Sequence, residues 1–376
     1  MRFLRTLSTR GLLFVGVAAA LLIAGGTTIA LATTGGSGRV PREKPLPQAI
    51  QQGLGASRPA GLTARITFTN GLFPNGALLG QTGSALMSGA SGRLWVRNDG
   101  RGRLELQSNA GDVQVVWRPS QATVYDASSN TVYRISLPAA RREKGRHPPP
   151  STAGIGAFLT QLAKHVNVSS AQPSNVGGRP AYTVRLSPRE TGGLLGSVRL
   201  AWDASHGVPL RAAIYARGGT KPVLELKTTS ISYGTVPLST VDVAPPAGAR
   251  VVDLGALTGP GRGKPEAHRK KPAFEFAAPA SLAGLKRTAT RPAGRGTLVV
   301  YGEGLGGITV LAHKGGTGAG AQLEALPSVL IDGVPVHELA TPLATVLTWE
   351  RGGVSYVLAG SVTPSVAESA ARGLLR

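Results

Sequence analysis

Arg93-Leu94-Trp95-Val96-Arg97-Asn98-Asp99-Gly100-Arg101-Gly102-Arg103-Leu104-Glu105-Leu106 is the stretch that decides the fold. Leu94 and Val96 alternate with Arg93 and Arg97, Leu104 and Leu106 alternate with Arg103 and Glu105, and Asn98-Asp99-Gly100 supplies turn residues between the two runs. Successive side chains on a strand point to opposite faces, so each run has one apolar and one polar side. Together they predict an antiparallel hairpin that buries its Leu and Val face and wets the other.

The pattern recurs along the chain. Ile66 and Phe68 alternate with Arg65 and Thr67, Val113 and Val115 flank Gln114, and Val184 and Leu186 flank Arg185. Val198 and Leu200 flank Arg199, while Leu224 and Leu226 alternate with Glu225 and Lys227. Asn109-Ala110-Gly111-Asp112 and Ser128-Ser129-Asn130 mark further turns. The runs read as one large sheet with a single apolar face and a meandering strand order. One helix is expected, Ile155 to Val166, whose apolar stripe holds Ile155, Phe158, Leu159, Leu162 and Val166.

A sheet this wide has more apolar face than one helix about 10 Å across can hide. Three covers remain open: curling of the sheet, the apolar loop Gly71 to Gly80, or a bound hydrophobic molecule. Leu72, Phe73, Leu78 and Leu79 in that loop fit either a mobile lid or an ordinary buried loop. The apolar strand residues, these four and Phe158 and Leu162 form the candidate ligand-binding set.

At roughly 100 to 200 residues per domain, 376 residues suggest two domains behind an N-terminal leader. Arg2, Arg5 and Arg10 precede an uncharged run from Gly11 to Ala32, an export signal within residues 1–34. Ala30-Leu31-Ala32 offers a cleavage site, yet the run is long enough to stay as a membrane anchor with the remainder outside. The location expected is the outer side of the cell membrane, or a secreted or periplasmic one after cleavage. Residues 35–47 read as a basic, flexible tether, 48–254 as the sheet domain and 255–272 as a Gly, Pro and Lys-rich linker. Residues 273–376 read as a small α+β domain with strands at Thr297–Tyr301, Ile308–Ala312, Val329–Ile331, Thr345–Trp349 and Ser355–Ala359 and a helix at Ser365–Leu375.

The net charge of +22, from 41 Lys and Arg against 19 Asp and Glu, favours partners with anionic surfaces. Basic runs at Arg39 to Lys44, Arg141 to His147 and Arg262 to Lys271 carry no interleaved aromatics to stack bases, so a membrane surface is favoured over nucleic acid. Cysteine is absent, which removes disulfides, thiolate metal sites and an acylated N-terminal Cys. The six histidines are scattered, and His337-Glu338 lacks the second His of a zinc helix, so neither metal nor cofactor is expected. Gly302-Glu303-Gly304-Leu305-Gly306-Gly307 follows a strand but precedes another strand, which reads as a Gly-rich hairpin rather than a dinucleotide site. The few carboxylates sit mostly beside basic residues on expected solvent faces, and no nucleophile or acid–base constellation is visible, so a non-catalytic role is expected. Trp95, Trp117, Trp202 and Trp349 fall in expected strands, where large aromatics pack cores.

Several segments resemble the LolA and RseB superfamily. They are Gly89-Ala90-Ser91-Gly92-Arg93-Leu94-Trp95, Arg103-Leu104-Glu105-Leu106, Val124-Tyr125-Asp126 with Asn130-Thr131-Val132-Tyr133, and Leu200-Ala201-Trp202-Asp203 followed by Gly207-Val208-Pro209-Leu210-Arg211. The likeness covers roughly Gln48 to Asp253. It implies a mainly β fold, an unclosed antiparallel half-barrel with a covering helix, ahead of the small C-terminal α+β domain. It further implies a non-catalytic binding protein outside the cytoplasm that holds a lipid, an acyl chain or a lipid-modified protein. The alternative it implies is an RseB-like regulator that binds an anti-sigma factor or other membrane protein in envelope-stress signalling.

Overall fold

The computed structural model describes residues 40–57, 59–72, 85–137, 151–190, 192–256, 276–293, 296–315 and 326–376. The leader expected over residues 1–34, Phe73, Leu78 and Leu79 of the expected lid, and the basic runs at 141–147 and 262–271 lie outside them. Among the described residues no helix is long and apolar enough to cross a membrane.

The chain enters through helix α1 (Leu46–Gly55), then strand β1 (Gly61–Asn70) and the single turn α2 (Ala85–Ser88). Five strands follow: β2 (Ala90–Arg97), β3 (Gly102–Ser108), β4 (Gly111–Arg118), β5 (Gln121–Asp126) and β6 (Thr131–Ser136). Helix α3 (Thr152–Leu162) leads to β7 (Val166–Val168), β8 (Gln172–Val176), β9 (Arg179–Pro188), β10 (Leu195–Asp203), β11 (Pro209–Ala216) and β12 (Pro222–Tyr233). A short turn α4 (Leu238–Val241) precedes β13 (Arg250–Ala256).

These strands form one 13-stranded sheet in the order β13-β6-β5-β4-β3-β2-β1-β12-β11-β10-β9-β7, with β8 also on β9. The expected meander is therefore two. One runs outward from β1 to β6, α3 lies in the crossover to the far edge, and the second returns from β9 to β12. Pairing of β12 with β1 joins the two halves antiparallel, with Leu226 opposite Phe68 and Ile231 opposite Ala64. All pairings are antiparallel except β13, which lies parallel to β6. The unclosed sheet with helices on its apolar side is the architecture expected.

Register explains why the apolar face is continuous. Residues directly opposite across a ladder share a face, and Leu94 faces Leu104, Leu104 faces Val115 and Val115 faces Val124. Close approach on this face requires glycine at Gly92, where a Cβ would lie 1.8 Å from the Glu105 carbonyl oxygen.

Three boundaries differ from expectation. The expected tether ends early, because Leu46 and Ala49 are buried and Tyr182 Oη donates to the Arg42 carbonyl at 2.7 Å, which seats residues 42–55 on the domain. Helix α1 thus packs on the sheet alongside α3, and the two touch. Helix α3 starts at Thr152, capped by Ser151 Oγ accepting from Gly154 N at 3.1 Å, and stops at Leu162. Val166 leaves the helix for β7, where it and the equally β-branched Val168 pair with Pro188 and Leu186 at the sheet edge. The linker expected from residue 255 begins later, since β13 runs to Ala256.

The second sheet has eight strands in the order β14-β15-β16-β17-β21-β20-β19-β18, from β14 (Ser281–Leu282), β15 (Leu285–Ala293), β16 (Gly296–Tyr301), β17 (Ile308–Lys314), β18 (Ser328–Ile331), β19 (Val334–Ala340), β20 (Thr345–Arg351) and β21 (Val354–Gly360). Helix α5 (Pro364–Leu375) covers one face and buries Ala367, Ala370, Ala371 and Leu375. Strands β14, β15 and β19 were not anticipated. Gly302–Gly307 is a β16–β17 connection with a 3-10 turn, as expected. The sheets meet where Leu194 N donates to the Ser361 carbonyl at 3.1 Å.

Gly92→Ala should destabilise the first domain by about 1–3 kcal/mol through overpacking against backbone that cannot yield. Gly156→Ala, in α3 with nothing within 4 Å of its Cβ, should stabilise by about 0.5–1 kcal/mol. Urea unfolding followed by tryptophan fluorescence measures both.

Candidate functional site

The apolar face is packed at its two ends by different means. Over β1 to β6, Leu62, Ala64, Ile66, Leu104, Leu106, Val113, Val115, Trp117, Ala122, Val124 and Ile135 form one buried cluster with Ala85 of α2. Phe68, Leu94, Val96 and Leu226 are half-buried against it. At the β9–β10 end, Leu46 and Ala49 of α1 pack with Tyr182, Val184 and Ala204, and Leu159 of α3, Leu186 and Trp202 lie against them.

Between these clusters Val198, Leu200, Ala212, Ile214 and Leu224 belong to neither. The ladders place them side by side: Val198 opposite Ile214, Leu200 opposite Ala212, and Ile214 opposite Leu224. Leu186 faces Val198 and Val184 faces Leu200, so this strip continues the helix-covered end without interruption. Leu200 is 38% exposed and its neighbours are half-buried. Phe158, expected among the cavity residues, is 65% exposed on α3, and Leu162 is half-buried. Leu72 is buried at the start of the expected lid. Two concavities lie off the strip: one of ≈ 390 Å³ lined by Thr63, Arg65, Arg93, Trp95, Ser230 and Ser232, and one of ≈ 640 Å³ beside α1.

The strip's edge is fixed by a buried polar cluster that sequence reading missed. Asp203, at the end of β10, is fully buried rather than on a solvent face. Its carboxylate accepts from Tyr233 Oη at 2.7 Å, from Ser205 N at 2.7 Å, from His206 N at 2.9 Å and from Arg179 Nε at 3.1 Å. Burial alone would raise the Asp203 carboxyl, but hydrogen bonds from Tyr233, the His206 and Ser205 amides and Arg179 more than offset it and hold it below the usual carboxylate value. Burial and the adjacent carboxylate push the Tyr233 phenol up, so it stays a donor. The Arg179 guanidinium sits 4.9 Å from the Tyr233 ring centroid, and the His206 ring lies 4.1 Å from it on centroids.

A carboxylate that is this fully engaged is an anchor rather than a base. The turn it organises receives α1: Gln52 Nε2 donates to the Ala204 carbonyl at 2.8 Å. Gly207 there has φ +64°, and a Cβ would lie 2.0 Å from the Gly53 carbonyl oxygen. The segment Trp202-Asp203…Gly207-Val208-Pro209, noted for its resemblance, is thus the seat of the covering helix. The signal for Asp203 was its place at a strand end before a Gly-Val-Pro turn. Its partners Arg179 and Tyr233 are brought in only by tertiary structure.

Among the described residues no group of three or more His, Cys, Asp or Glu is placed to hold a metal. Of the tryptophans, Trp349 and Trp117 are buried, whereas Trp202 and Trp95 are half-buried.

No family model matches the chain, and no curated protein matches it in sequence. Among solved structures it is similar to the MucA/MucB complex of Pseudomonas aeruginosa, at 16% identity over 87% of this chain and 94% of that one, with a TM-score of 0.42. It is also similar to a LolA superfamily protein from Nitrosomonas europaea, at 9% identity over 53% and 98%, with a TM-score of 0.21. A putative outer membrane lipoprotein-sorting protein domain from Vibrio parahaemolyticus matches at 12% identity over 49% and 89%, again with a TM-score of 0.21.

Asp203→Asn should lower stability at pH 7 by about 3 kcal/mol, the cost of breaking a buried charge pair. The sign with pH follows from the depressed folded value: the stabilisation is complete well above the unfolded value of about 3.9 and is lost as pH falls through it toward the folded one. Urea unfolding between neutral pH and about pH 3 should therefore show the acid-side loss shrink in the variant.

Proposed function

We propose that the chain is a non-catalytic binding protein acting outside the cytoplasm, and that the strip of Val198, Leu200, Ala212, Ile214 and Leu224 holds the acyl chain of a lipid or lipid-modified protein. The observation that carries this reading is one continuous apolar face whose two ends are packed and whose middle, at Leu200, is 38% exposed. Water against such a strip is unfavourable, and each acyl CH₂ removed from water there contributes about 0.8 kcal/mol. A chain of many carbons then binds without a charged contact. Half-buried Phe68, Leu186 and Leu226 extend the surface on either side. The fully occupied Asp203 cluster keeps α1 and the strip's edge in place when a ligand comes and goes.

Uptake of a fluorescent fatty acid by the purified chain tests this. Leu200→Glu should weaken uptake about tenfold or more while changing stability little, as at other partly exposed sites. Leu330→Glu, on the 77% exposed residue of the second sheet, should leave uptake unchanged. Uptake that is absent in the parent chain, or equal in all three proteins, would point instead to a surface that docks a partner protein, the regulatory alternative.

A further inference from the structure

The opposite, polar face of the sheet carries an arrangement that the cargo reading does not use. Two rows of residues cross the β12-β1-β2-β3 ladders side by side. The first is Ser230, Arg65, Arg93, Glu105, and the second is Ser232, Thr63, Trp95, Arg103. Residues directly opposite lie about 5 Å apart at Cα, so Arg65 and Arg93 place two like charges against each other, an arrangement that costs stability unless something neutralises it. Glu105, opposite Arg93, is ion-paired with Arg103 instead, and the Arg103 guanidinium lies 5.5 Å from the Trp95 ring centroid. Arg65 and Arg93 are exposed, and neither has an ion pair among the described residues.

Between them lies the open groove of ≈ 390 Å³, with the hydroxyls of Thr63, Ser230 and Ser232 on its walls. A register shift beside Arg65 marks the same spot, where Thr229 is unpaired and turns its hydroxyl to the Arg65 carbonyl at 3.2 Å.

We infer that this groove binds the phosphate of an anionic phospholipid headgroup, so that the sheet lies on a membrane surface by its polar face. Two guanidiniums offer paired donors that match a phosphate, and hydroxyls supply the remaining hydrogen bonds. The groove is open and shallow, which suits a headgroup presented by a surface more than a small anion that must be enclosed. Trp95 provides the amphipathic ring that favours the membrane interface. The apolar strip is on the other side of the sheet and would remain free to take cargo, so the two proposals can fail separately.

The test is binding of the full chain to vesicles of phosphatidylcholine with and without phosphatidylglycerol, combined with hydrogen exchange. Phosphatidylglycerol should strengthen binding and slow exchange in residues 61–70 and 90–97. Arg65→Gln/Arg93→Gln should weaken the phosphatidylglycerol-dependent part about tenfold or more, in line with the electrostatic contribution of two basic residues near an anionic surface. Arg65→Lys/Arg93→Lys should restore part of it. Lys286→Gln/Arg291→Gln removes the same charge from exposed positions on β15 and should have little effect. Equal loss in both double Gln variants would overturn the inference in favour of generic attraction. Displacement of the vesicles by millimolar inorganic phosphate would overturn it in favour of a free-anion site, and stronger protection of the same strands by a polyglutamate peptide would overturn it in favour of an acidic protein partner. Fatty acid uptake in the Arg65→Gln/Arg93→Gln variant should match the parent, which separates this result from the cargo reading.

Discussion

Burial of a sheet's apolar face is the constraint on which the rest of this molecule depends. Thirteen strands in one layer present a far wider greasy surface than two helices of 10 and 11 residues can cover. The β1–β6 half meets the constraint with a buried cluster around Leu104, Leu106, Val113 and Val115 that takes in Ala85 of α2, and the β9–β10 end meets it with α1 and α3. What remains between, centred on Leu200, is the surplus. An energetic deficit of this kind is a means of binding, because a ligand that supplies the missing apolar contact is stabilised by the area the protein leaves wet.

The polar cluster around Asp203 belongs to the same logic. Helix α1 has no side-chain cap at its start and buries only Leu46 and Ala49 fully, so its own burial gives it a weak hold on the sheet. Gln52 on Ala204, Gly53 against Gly207, and a turn fixed by Asp203 add directional contacts at its other end. Directional contacts define position in a way that apolar packing alone does not, so they fix the turn that seats α1 at the strip's edge.

Much of this was legible in the sequence because period-two alternation is a local signal. Leu94/Val96, Leu104/Leu106, Val184/Leu186, Val198/Leu200 and Leu224/Leu226 each show their inward side within four residues, and the ladders join them as that pattern requires. What was not legible is non-local. Nothing near Val166 reveals that Pro188 waits across a ladder, and nothing around Asp203 reveals Arg179 and Tyr233. Helix α1 was hidden because Lys44-Pro45-Leu46-Pro47 reads as tether, although proline suits a first helical turn. Phe158 had helical spacing with the buried positions yet lies at the flank of the stripe, where no described residue covers it. The grid of Arg65, Arg93, Trp95, Ser230 and Ser232 required strand order, since three separate segments contribute to it.

The strip around Leu200 is partly exposed in the protein alone, and an apolar ligand would cover it. Native mass spectrometry with organic extraction of the full chain, expressed through an export pathway, tests it most directly. The expected result is a stoichiometric extra mass that resolves to a lipid or acylated species. A clean mass for the bare chain, even after incubation with a lipid extract of the host, would contradict it.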